Sequence, residues 1–385
     1  MGQPRILLVN HGRAAEYKGG DGVQINETGK RLARRGYDVA QVQADRPDVS
    51  QFDLVHLFNA RTVESLRQQL EACKAAGVPT VLSPIWVSIP RAIWGSRTTF
   101  RVLSNLQVSS ESEVDSMLQR LRLRKLVLDD ANTQVHPEGN HNGDPYRVKE
   151  LATLIKRVDG LLPNSWLELQ AVRNDLHWFG DQFEVAHYGV DPKIFLDADP
   201  TPFRSLSGIK GSFVLQAGRI EPAKNQAMLC WALRKTGIPI VLIGSTANWP
   251  GYAKLCRDIA GSQLTIIDHL EQPMLASAFA AANVHVLASW METCGLVSLE
   301  AALAGTAIVG STFGHELEYL KQDAWYGDPA DPESLRIAVE SALDAGRECK
   351  RTCNLRQRIL EIFNWERTTT QTELLYRKVL ERKRR

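Results

Sequence analysis

The chain has 385 residues, enough for about two domains, and its 44% hydrophobic and 23% charged content is ordinary for a soluble globular protein. A net charge of +2 gives no case for a nucleic-acid partner. No apolar stretch approaches the roughly 20 residues that span a bilayer, and the Ile6–Val9 run has no cleavage site behind it, so it reads as a first strand and not a signal peptide.

The pattern in chain order is strand, helix, strand. Arg5–Val9 reads as a strand and Val23–Arg35 as a helix ended by Gly36. Asp38–Val42 and Leu54–Leu57 are strands, Val63–Ala75 a helix and Pro79–Leu82 a strand. Leu161-Leu162 and Phe183–His187 supply two more short strands, and Leu196–Gly211, with its Pro, Gly, Ser and Asp, reads as a linker. Alternation restarts with strands at Phe213–Ala217, Ile238–Ile243, Leu264–Ile267, Val284–Ala288 and Ala307–Val309. Helices fall between them near 225–235, 273–281 and 295–304, and the tail from Pro332 to Arg385 reads as almost wholly helical. Such alternation builds parallel sheets covered by helices on both faces, here as two successive α/β halves with a cleft between them.

Two segments carry most of the chemistry. Gly218-Arg219-Ile220-Glu221-Pro222-Ala223-Lys224 follows one strand and Glu292-Thr293-Cys294-Gly295 follows another. Strand ends that open into helices are where α/β proteins bind ligands. Arg219 and Lys224 suit a diphosphate, and Gly218 lets backbone approach it closely. Gly295 opens a helix whose free N–H groups attract anions. Glu292 and Glu300 can accept from sugar hydroxyls on either side of that diphosphate, so the implied ligand is a nucleotide-sugar. A solvated turn would also carry Arg219 and Lys224, and a buried structural hydrogen bond would also explain Glu300.

Other features are less specific. Gly19-Gly20-Asp21-Gly22 is a glycine-rich loop without the dinucleotide fingerprint; it is either a plain loop or one that closes over donor phosphates. Arg120, Arg122, Arg124 and Lys125 make either a solvated helix face or a peripheral contact with anionic lipid. His136, Glu138 and His141 match no usual metal spacing. Six scattered cysteines form neither a zinc nor a disulfide pattern, which fits reduced thiols in a cytoplasm.

With these residues in view, the chain resembles the retaining nucleotide-sugar glycosyltransferases of the GT-B fold, family four. The resemblance runs over nearly the whole length: Gly19-Gly20, Asp53–Asn59, Gly189-Val190-Asp191 with Phe195, Gly218-Arg219 to Lys224, Glu292 to Glu300, Asp328-Pro329 and Phe363–Glu366. It implies two doubly wound Rossmann-like domains facing a central cleft. Residues 1–198 would be the acceptor domain and 199–364 the donor domain, with a helix of about 365–385 returning to the first. It implies that Arg219 and Lys224 hold the donor diphosphate, completed by backbone around Cys294, Gly295 and Leu296. Glu292 would touch the donor sugar, Glu300 the ribose diol, and His269 and Leu270 the base. One departure is Ile85, which stands where many members carry a His near the donor sugar.

The expected chemistry is transfer of a sugar from a nucleoside-diphosphate donor to a glycan or lipid-linked acceptor hydroxyl, with retention. Leaving-group charge would be met by Arg219, Lys224 and the helix start, with no metal or cofactor. Bacterial surface glycan or glycoconjugate synthesis is the expected setting. The competing readings are an epimerase or phosphorylase of related fold, and a catalytically silent sugar-nucleotide-binding or scaffold protein.

Overall fold

The computed structural model describes residues 4–14, 20–130 and 147–384. The chain packs as two units, one from Met1–Ser88, Gly139–Gly189 and Ile362–Arg385, the other from Ile89–Glu138 and Val190–Glu361.

In the first unit a parallel sheet has the order β2-β1-β3-β4-β5, with β1 Arg5–Asn10, β2 Asp38–Gln43, β3 Leu54–Phe58, β4 Thr80–Ser83 and β5 Gly160–Leu161. Leu54–Phe58 and Thr80–Ser83 are buried along their whole length, as strands covered on both faces must be. The helix Trp365–Arg384 closes one face, its Leu375, Tyr376 and Val379 sharing a core with Ile6, Leu8, Ile25 and Val81. Inside that core Tyr376 Oη lies 2.7 Å from His56 Nδ1, and His56 Nε2 lies 2.9 Å from Ser83 Oγ. Burial lowers the His56 pKa to about 3, so the imidazole is a neutral connector. Arg35 pins the same helix from outside, through Glu366 and Glu373.

The strand expected at Phe183–His187 is a single bridge, Phe183 to Leu161. Its neighbour β5 has only two residues before Pro163, which has no N–H to extend a ladder.

Ile85 follows β4 with φ +49°, a left-handed conformation that a β-branched side chain rarely adopts. The buried Glu168 holds this turn. Its carboxylate accepts from Trp86 N–H at 2.7 Å and Asn164 N–H at 2.5 Å, while the Trp86 indole donates to Asp175 at 2.9 Å.

The second unit has the parallel order β11-β10-β9-β6-β7-β8. Its strands are β6 Val214–Ala217, β7 Ile240–Ile243, β8 Leu264–Ile267, β9 Val284–Val286, β10 Ala307–Ser311 and β11 Trp325–Gly327. The stretch expected as linker contains a helix, Thr201–Ser207. Pro202 starts it, Gly208 in left-handed geometry ends it, and Phe203 anchors it, fully buried and stacked on Phe213.

Two helices from the first half of the sequence, Ile89–Ser104 and Glu111–Asp130, belong to this second unit. Trp94 meets Trp290 edge-on at 6.3 Å, and Gly95 lies so close to Trp290 that a Cβ there would fall 2.2 Å from the ring. The Trp231 indole donates to Asp115 at 2.8 Å. The expected cationic face is largely committed to the unit's own carboxylates. Lys125 is buried with its ammonium 3.0 Å from Asp328, Arg122 pairs with Asp331 at 3.0 Å, and Arg124 lies over Trp94, leaving Arg120 on the exposed side.

Candidate functional site

In each sheet the strand order reverses once, between β1 and β3 in the first unit and between β6 and β9 in the second. Loops at the carboxyl ends of such strands diverge and leave a crevice. In the first unit the crevice holds His11, Asn59 and Asp21, with Asn59 Nδ2 3.4 Å from Asp21 Oδ2. Gly20 is the first residue of the helix Gly20–Arg34; Gly19 and the His136, Glu138, His141 group lie outside the described residues.

The second unit's crevice brings together the residues singled out from sequence. After β6 the chain turns at Gly218, φ +140°, and Gly244 from the end of β7 abuts its carbonyl. A short 3-10 turn, Pro222–Lys224, follows and ends at Asn225 in left-handed geometry. The Asn225 amide is buried and donates to Ala288 O at 3.0 Å and Pro329 O at 2.9 Å, tying this loop to the one after β9. Trp290 N–H adds a second tie, to Ala223 O at 2.9 Å.

These ties place Lys224 against Glu292, with Nζ to Oε2 at 2.5 Å and both side chains mostly covered. An ammonium has three donors, so Lys224 can hold Glu292 and an anion together. Arg219 is turned towards Glu221 at 3.0 Å, with its side chain 42% exposed. Beneath them His285 on β9 lies 3.4 Å from Ala217 N–H. Burial, reinforced by Lys224, lowers the His285 pKa to about 3, so its imidazole is neutral.

Gly295 caps the helix Leu296–Leu303 with φ +70°. Its carbonyl takes the N–H groups of Ser298 and Leu299, leaving those of Leu296 and Val297 without an acceptor among the described residues. Cys294 contributes backbone only, because its side chain is buried and burial pushes the thiol pKa well up. Burial also raises the Glu300 pKa to about 8, and its carboxyl has no hydrogen-bond partner among the described residues. His269 and Leu270 follow β8, two strands from β6 and so about 10 Å away at ordinary strand spacing. His269 is exposed, 3.7 Å from Glu271.

Sequence reasoning missed two members of this group. One is Asn225, whose signal was an Asn directly after the cation where a turn must end. The other is Glu316, fully buried under the Gly295 turn, with Oε1 accepting from Ser311 N–H at 2.8 Å. Nothing in the string Gly314-His315-Glu316 marks it as interior. Among the described residues no cluster of three or more His, Cys, Asp or Glu is arranged as a metal site, and no helix is long and apolar enough to cross a membrane.

If Glu300 receives a ribose diol, Glu300→Ala raises the Kd of a bare nucleoside diphosphate by about tenfold, one charge-assisted hydrogen bond. On the same reading, Glu292→Ala is expected to leave that Kd nearly unchanged while lowering any transfer of the sugar. Titration of both variants with sugar-free nucleotide checks the division, and equal losses would refute it.

Residues 199–358 match the family described as glycosyl transferases group 1. Among curated proteins the chain is similar to D-inositol 3-phosphate glycosyltransferases. It is 28% identical to that of Mycolicibacterium paratuberculosis over 46% of this chain and 42% of the relative. It is 27% identical to that of a Nocardioides species over 94% of this chain and 85% of the relative. The chain thus spans under half the length of the first of these relatives and most of the second. Among solved structures it is similar to a sucrose-phosphate synthase from Thermosynechococcus elongatus, TM-score 0.71 at 17% identity, covering 98% of this chain and 99% of that one. It is also similar to HepE of Anabaena in complex with UDP and glucose, TM-score 0.69 at 14% identity, covering 98% of this chain and all of that one. At such identities the likeness is one of fold.

Proposed function

We propose, from the premise that this is a GT-B chain whose residues 199–358 belong to the group 1 glycosyl transferases, that it moves a sugar from a nucleoside-diphosphate donor to an acceptor hydroxyl. The observation that supports this best is the arrangement at the β6/β9 reversal. There the Lys224–Glu292 pair, the turned-out Arg219 and the open helix start at Gly295 surround one crevice. Such a set meets the charge that builds on a departing nucleoside diphosphate without reorganising at the moment of reaction.

The anomeric configuration is retained in this reading. Glu292 is held by Lys224, which suits it to orient the donor sugar and not to attack it. The acceptor is a glycan or lipid-linked hydroxyl, as in surface glycan or glycoconjugate synthesis.

A thermal-shift screen with UDP, GDP, ADP and their sugars tests the reading. A ligand at 100 times its Kd stabilises by about 2.7 kcal/mol. The expected result is a shift with one nucleotide class and slow release of nucleoside diphosphate from its sugar. A shift without any release on adding acceptor extracts would favour a silent binding protein. Because the site's positive charge comes from Arg219, Lys224 and the helix start, turnover is expected to persist in excess EDTA. Loss that Mg²⁺ restores would overturn metal-independent transfer.

A further inference from the structure

Glu316 is a fully buried acid beneath the Gly295 turn, and no step above uses it. It has no exposure at all. One oxygen accepts from Ser311 N–H at 2.8 Å, and the other lies 3.4 Å from Ser298 Oγ. That second oxygen is also 2.8 Å from where a Cβ on Gly295 would stand, so the carboxyl fills the space directly beneath the helix cap. Gly310 leaves room for the first oxygen in the same way, at 3.1 Å. Two glycines and two serines, from the capped helix Leu296–Leu303 and from β10, thus form a fitted recess for one carboxyl group.

Its electrostatic surroundings are uneven. Glu292 opposes a charge on Glu316 and Lys224 favours one, while Cys294 and Tyr326 also face it and are themselves kept neutral by burial. Lys224 makes its contact with Glu292 and none with Glu316 among the described residues. A negative charge in the recess would sit under the same N–H groups that are to receive a diphosphate, and would repel it.

We propose that Glu316 is a positioning residue that supports the Gly295 turn as a neutral carboxylic acid, and that ionising it weakens nucleotide binding. The inference rests on the nucleotide reading of the site. Burial, together with Glu292, raises the Glu316 pKa to about 8, so the acid is neutral at pH 7 and largely ionised at pH 9. Nucleotide binding then holds the proton on, and near pH 8 complex formation takes up part of a proton from solution.

The experiment measures the Kd of UDP, GDP and ADP at pH 7 and pH 9 by calorimetry, each in two buffers of different ionisation enthalpy. For the nucleotide that binds, the wild-type Kd is expected to rise about tenfold between pH 7 and pH 9, with proton uptake at pH 8. Glu316→Gln keeps the shape of the neutral acid. It is expected to hold the pH 7 Kd at both pH values and to take up no proton. Glu300→Gln separates the other acid raised to the same range: it changes affinity but keeps the pH break. A wild-type Kd independent of pH, or a break that survives Glu316→Gln and disappears in Glu300→Gln, overturns the role of Glu316 while leaving the nucleotide site standing. If none of the three nucleotides binds at pH 7, the reading of the site falls and this inference with it. If Glu316→Gln fails to fold, Glu300→Gln carries the test: the pH break and the proton uptake must persist in it, and their loss there overturns the role of Glu316.

Discussion

Replacing Lys224 by Ala is expected to lower kcat/KM for the sugar donor by about a hundredfold. A hydrogen bond to a charged group contributes about 1.5–3 kcal/mol, and 1.4 kcal/mol is a factor of ten. Lys224 stands at the upper end because its side chain is mostly covered and fixed on Glu292. Its loss also leaves Glu292 a partly buried carboxylate without its cation, facing the donor's own negative charge. Arg219→Ala is expected to cost less, since that guanidinium is 42% exposed and already shared with Glu221. Steady-state kinetics of both variants, with melting curves to confirm folding, checks the order. Equal, small losses would mean that the diphosphate does not bind between β6 and β9.

Gly189→Ala is expected to be the most damaging single methyl group in the first unit. A Cβ at Gly189 would fall 2.2 Å from Trp365 N and 2.3 Å from Asn364 C, both backbone atoms that no rotamer change can move. Overpacking typically costs 1–3 kcal/mol, and contact with backbone puts this case at about 3 kcal/mol. The start of the helix Trp365–Arg384 must shift, breaking the Thr368 Oγ1 bond to His187 O and the stacking of Tyr188 on Trp365. Urea unfolding followed by tryptophan fluorescence, with proteolysis to report on the final helix, would show it. An unchanged midpoint would refute the close packing of Gly189 against the Asn364–Trp365 backbone.

The parts legible in the sequence were those governed by short-range pattern. Strands buried on both faces read as unbroken apolar runs, so β1, β3 and β6 fall where Ile6–Val9, Leu54–Leu57 and Phe213–Ala217 suggested. The crevice followed because Gly218 and Gly295 mark turns that only backbone freedom explains. What escaped depended on partners distant in sequence. Phe203 looked like linker because its stacking partner, Phe213, and the hydroxyl of Ser277 are not visible from position 203. Lys125 looked like surface because Asp328, which neutralises it, lies 203 residues away. Ile85 gave no hint of a left-handed turn, since the force that holds it comes from Glu168 through the backbone of Trp86. Glu316 was hidden for the same reason, its recess being assembled from residues 295, 298, 310 and 311.

Neither unit is a continuous stretch of chain, and this governs how the protein can be made. A ribosome delivers the sheet β1–β5 first, but its core lacks Leu375, Tyr376 and Val379 until nearly every residue has been synthesised. The helices 89–104 and 111–130 emerge early too, yet Trp94 must wait for Trp290, Asp115 for Trp231, and Lys125 for Asp328. Both units are therefore held open through most of translation and close together at the end. The nascent chain carries unsatisfied apolar faces, Trp94 and Tyr376's cavity among them, for longer than two domains folding in sequence would. Cutting the gene at the apparent boundary near residue 199 would not yield two soluble halves. Each fragment would be missing part of its own interior, and only co-expression could supply it.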